Sequence, residues 1–183
     1  MGKYNHDRGL SMPNIYISKL DAAKRQLDVA INLFFKSGDP VSIHTLTAAA
    51  YDVLIGLGKA EKVVELGIKD AELYIKDGHQ KEYLAILNKA QNFFKHSDKD
   101  PKETIEFNSE STIFFLLSAV RLYIDLTKEK PNNMIVYIQW CILMYPRLLK
   151  DEHQKEYEGL RSQLDPADRS KFLDLIHTLD KSI

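Results

Sequence analysis

The segment NKAQNFFKHSDKDP, residues 88–101, gathers more chemistry-bearing side chains than its neighbours do. Asn92 and His96 lie four residues apart, one helical turn, at what the pattern makes a helix C-terminus. Asp98 and Asp100 follow in a loop within reach, so imidazole, amide and carboxylates together offer ligands for a metal or for a phosphate-linked cation. Lys89, Lys95, Lys99 and Lys102 make this the most basic local surface. The same residues also have a plain structural explanation. A histidine in the last turn complements the helix dipole, and an aspartate-rich stretch before proline is ordinary turn chemistry.

His44 is the second position with chemical potential. It precedes Asp52 by about two turns of one helix, so imidazole and carboxylate could share a groove as a general-base pair. The alternative is a buried histidine hydrogen-bonded between helices, holding their register. Motifs with a defined mechanism are missing from the sequence: no phosphate loop, dinucleotide fingerprint, His-Glu-x-x-His, Gly-x-Ser-x-Gly or EF-hand loop occurs. A di-iron bundle needs two carboxylate-x-x-His pairs, and Asp174 to His177 supplies one. No metal site or cofactor is therefore expected.

These side chains must be positioned by helices. The chain has 183 residues, enough for one domain with its own core, and its 44% hydrophobic and 28% charged content suits a soluble globular protein. With 25 basic against 26 acidic residues there is no overall basic excess to draw nucleic acid, so any RNA contact would have to come from a local patch. One cysteine, Cys141, excludes an intrachain disulfide framework and suits a reducing compartment, which makes the cytoplasm the expected location. The most apolar stretch, residues 134–145, falls short of the roughly 20 residues that cross a bilayer, so no membrane association is expected.

Helical periodicity runs almost throughout. Residues 1–17 read as a mobile polar arm and 18–183 as a single all-α domain, a bundle of about seven helices. Leu20, Leu27, Ile31 and Phe34 share a face after a Ser18/Asp21 cap, with Gly38 ending that helix. Asp39-Pro40 then opens a helix to about Leu57 with Ile43, Leu46, Ala50, Val53 or Leu54, and Leu57 inward. Further helices are expected over residues 59–76, 80–95, 111–126 and 134–149, the last kinked or ended by Pro146. A final one starts at Asp165-Pro166, with Phe172, Leu175, Ile176 and Leu179 as its stripe. Adjacent aromatics such as Phe34-Phe35, Phe93-Phe94 and Phe114-Phe115 cannot all face one simple core, so one of each pair should fill a second layer or a dimer interface.

The segments GDPVSIHTLTAAAYDVL (38–54) and NFFKHSDKDP (92–101) resemble the hallmarks of a family of bacterial proteins without an assigned activity. In that family a GDP-x-x-x-HTL-x-x-AA helix is followed by N-F-F-K-H-x-D-x-D-P, and the resemblance covers about residues 18–140. It implies a bacterial origin and a role for His44, Asn92, Lys95, His96, Asp98 and Asp100. A wider resemblance is to the HEPN superfamily of helical bundles, many of them RNA-cleaving, marked by Arg-x(4 to 6)-His. Here Lys89, with six residues between it and His96, stands where arginine is expected, a point charge in place of a bidentate fork. Arg147 and His153 have the spacing but flank a helix boundary.

Two functions follow as expectations. One is a bundle that binds a protein partner, a ligand or a second copy of itself. The other is a HEPN-like ribonuclease with His96, His44, Asn92 and Lys89 as catalytic residues and Lys95, Asp98 and Asp100 binding ligand, all converging in one cleft.

Overall fold

The computed structural model describes residues 14–60, 80–96, 101–146 and 151–182, the side chains of 80–84 and 151–156 excepted. Ser18 opens the first helix as its sequence foretells. Its hydroxyl accepts from the Asp21 N–H at 3.0 Å while Asp21 Oδ2 accepts from the Ser18 N–H at 3.1 Å, a reciprocal capping box. This helix, α1, spans Lys19–Phe35. Its end departs from expectation in detail: Ser37, not Gly38, takes the left-handed conformation, with φ 53°. Gly38 closes the turn by donating to the Leu33 carbonyl at 2.8 Å, and a Cβ there would meet that oxygen at 3.1 Å.

Asp39 then caps α2, Pro40–Ala60, its Oδ2 accepting from the Ser42 N–H at 2.8 Å. Ile43, Ala50 and Leu54 are its fully buried apolar residues toward the main core, whereas Leu46, Val53 and Leu57 are half-buried. His44, Thr47 and Ala48 are buried too, because α2 packs on α1 and also on two later helices. By length and composition α2, and not the 134–145 stretch, would suffice to cross a membrane. Its 18-residue apolar window averages 1.3 in hydropathy and is 39% buried in the bundle.

The expected helix over 59–76 lies outside the described residues. Next come α3, Gln80–Lys95, and, after the 101–110 segment, α4, Ser111–Thr127. A turn leads to α5, Asn132–Met144, which starts two residues before the expected Met134 and is ended, not kinked, at Pro146. α6, Asp151–Gln163, was not foreseen: DEHQKEYEGLRSQ carries no apolar stripe to betray it. The last helix, α7, spans Arg169–Asp180 and begins later than Asp165-Pro166 proposed. Asp165 instead forms a turn, its Oδ1 accepting from Ala167 N–H at 2.9 Å, while the Pro166 carbonyl accepts from Trp140 Nε1–H at 2.9 Å. Pinning that carbonyl to a buried indole holds residue 166 outside the helix.

The result is an all-α bundle, seven helices and no strand among the described residues. α1 packs on α2, α4, α5 and α7, so both Phe34 and Phe35 are buried. Phe34 meets Trp140 edge-on at 4.6 Å between centroids, and Phe35 reaches a second layer, stacking on Phe172 at 5.9 Å. Phe115 is likewise buried, whereas half-buried Phe114 leans on Tyr145 at 4.9 Å. A second, smaller cluster of Ala48, Leu87 and Phe115 ties α3 to α2 and α4.

Candidate functional site

The two faces of α3 perform different tasks. Leu87 and Ala90 are buried toward α2 and α4, and Gln91, also buried, donates to Asp52 Oδ2 at 2.6 Å. Lys95 approaches the same carboxylate at 3.5 Å. Lys95 is thus an interhelical tie between α3 and α2.

Lys89, Asn92 and His96 recur at spacings of three and four and so share the other face. With Phe93 they line a groove of about 400 Å³ whose opposite wall is Glu103, Thr104, Ile105 and Glu106. Three of the four expected catalytic positions therefore open onto one space. Asp98 and Asp100 lie outside the described residues, as do Arg147 and the His153 side chain. Glu103, Thr104 and Glu106 were missed from sequence, since nothing in a loop's composition tells which way it folds back on a helix.

His44 does not join that groove. It is fully buried on α2, its Nδ1 3.0 Å from the Thr112 hydroxyl of α4. Three rings enclose it: Phe107 at 5.2 Å, Phe115 at 5.3 Å and Phe94 at 5.8 Å between centroids. Nε2 has no hydrogen-bond partner among the described residues. Burial lowers the His44 pKa below its ordinary value, and the backbone of Leu87 pulls more weakly the other way. The general-base pair with Asp52 does not form, because Asp52 turns outward to Gln91 and Lys95 while His44 turns inward to Thr112. An imidazole with no path to solvent cannot reach a substrate proton in the groove. Phe94 faces His44 and Phe93 faces the groove, so this aromatic pair divides core from surface.

A larger groove, about 530 Å³, runs between α1, the α4–α5 turn and α7. Much of its polar lining is already paired internally. Asp28 accepts from Lys24 at 2.9 Å and from Asn133 at 2.8 Å, and Asp180 accepts from Asn132 at 3.0 Å. These bonds join α1 and α7 to the start of α5 and account for the carboxylates there. Among the described residues, no three His, Cys, Asp or Glu side chains gather closely enough to hold a metal.

Comparison with known protein families, curated proteins and solved structures finds no match for this chain.

Proposed function

We propose that this chain is a soluble, cytoplasmic bacterial bundle that acts by binding a partner, either another protein or a second copy, in the groove between α3 and residues 103–106. The observation carrying this reading is the shared opening of Lys89, Asn92 and His96 opposite Glu103, Thr104 and Glu106. Both charge signs line one space, together with amide and hydroxyl groups. Such a lining complements a polar segment bearing both signs. A continuous polyanion gains from Lys89 but is repelled by Glu103 and Glu106. The bacterial and cytoplasmic parts rest on the sequence resemblance and on the lone cysteine.

The ribonuclease reading retains one supporting observation. Lys89, Asn92 and His96 open together, which would place a phosphate contact beside a proton-transfer group. It lacks His44 and the arginine fork.

Wild-type protein and His96→Ala, incubated with bulk RNA and short oligonucleotides, separate the two. The binding reading expects intact RNA in both samples, and a partner or dimer, seen by native mass spectrometry, that Lys89→Glu releases. RNA cleavage by wild type that vanishes in His96→Ala overturns it in favour of the nuclease.

A further inference from the structure

Arg169 opens α7 in an unusual electrostatic setting. Its guanidinium lies 4.1 Å above the Phe34 ring centroid and 5.4 Å from that of Trp140, half-buried where α1 turns into α2. A single long hydrogen bond, 3.4 Å to the Phe34 carbonyl, occupies one Nη, and among the described residues no carboxylate pairs with it. A guanidinium has five N–H donors, so most of them remain unused. The neighbouring carboxylates are already committed: Asp39 accepts from Ser42, and Asp168 from the Ser170 hydroxyl with Lys171 3.7 Å away.

Arg169 borders a cavity of about 210 Å³ that shares no lining residue with the α3 groove. Glu110 stands on the same cavity, its Oε1 accepting from the Tyr145 hydroxyl at 3.2 Å, and it forms no ion pair with Arg169. Ser37 and Ser109 also line it, and their hydroxyls have no partner among the described residues. Ser37 holds φ 53° as the left-handed residue that ends α1, its N–H donating to the Phe34 carbonyl at 3.1 Å. Phe34 and Ile113 supply apolar walls.

We propose that this cavity binds a small zwitterion of the amino-acid class, its carboxylate on the Arg169 fork and the serine hydroxyls, its ammonium on Glu110. Two opposite charges that face one cavity without pairing each other call for a ligand that brings both counter-charges. A simple anion would leave Glu110 repelling it, and a simple cation would leave Arg169 doing so. The volume sits below the roughly 300–1,000 Å³ of pockets for drug-sized ligands, which favours a short side chain. The site is independent of the groove on α3 and of whatever binds there.

The full-length chain, titrated calorimetrically and by thermal unfolding with each of the twenty amino acids, tests this. Acetate and ethylamine serve as half-ligands. At least one small amino acid should bind and raise Tm, with each half-ligand weaker by about tenfold or more. Arg169→Lys keeps the charge but loses the fork, and Glu110→Gln removes the ammonium partner while leaving Arg169 on Phe34. Each should weaken binding by about tenfold or more. Ser37→Gly should fold, melt higher and bind more weakly. Absence of binding by every amino acid at about 10 mM overturns the proposal, as does acetate binding as tightly as the amino acids, which would make this a simple anion site. So would wild-type affinity in Glu110→Gln.

Discussion

His44 shows how one side chain can carry a pH dependence without touching a substrate. In the unfolded chain its imidazole titrates near 6.5, and in the folded chain it does so lower, because protonation would bury a charge among three phenylalanines. Below about pH 6.5 the unfolded state therefore binds a proton that the folded state refuses, and stability falls as pH falls. Tm should drop between pH 7 and 5 in wild type and drop less in His44→Gln, which retains a group able to bond Thr112. Equal slopes in the two proteins would dismiss His44 as the source. Asp21, Asp39 and Asp168 act in a separate window. Serine hydroxyls lower all three below the usual 3.8, so the stability they add is present above that value and is lost only as pH falls through their lower folded values.

At the scale of elements, the described side chains of α3, residues 85–95, are attached by fewer buried contacts than those of α4. On α3 the described core contacts are Leu87, Ala90 and Phe94, with the Gln91–Asp52 bond and the exposed Lys95–Asp52 pair added. α4 by contrast buries ten residues, from Thr112 through Tyr123. Local opening follows buried apolar contact, so amides of residues 87–95 should exchange with deuterium well before those of 116–123. Simultaneous exchange of the two segments would mean that α3 opens only with the whole molecule. The start of α7 obeys the opposite logic, since Trp140 holds the Pro166 carbonyl and, with Phe34, packs against the Arg169 guanidinium.

For the molecule as a whole, Cys141 reports whether the bundle is closed. It is fully buried in the main core, and burial raises its thiol pKa, so thiolate is suppressed as well as shielded. A thiol reagent such as DTNB should leave the native protein unmodified and titrate one thiol per chain in denaturing urea. Rapid native labelling would show that the α5 core opens under folding conditions. Trp140, Tyr137 and Phe34 surround the same region with edge and stacked contacts, so the labelling rate tracks global opening more than local fraying.

What the sequence determined by itself was local. Ser18 with Asp21, and Asp39 with Pro40, start helices through bonds between residues three apart, and Pro146 ends one through its own missing N–H. The periodicity that put Lys89, Asn92 and His96 on one face, and Leu87 and Ala90 on the other, is also local. Local signals misplaced the start of α7, where a distant indole claims the Pro166 carbonyl, and they were silent on α6, which lacks an apolar stripe. Only the tertiary structure decided that His44 is sealed behind Phe94, Phe107 and Phe115, that Lys95 turns to Asp52, and that Glu103 and Glu106 face His96. Those outcomes depend on which helix packs against which. Non-directional burial of apolar surface drives that packing over separations in sequence that no short-range spacing encodes.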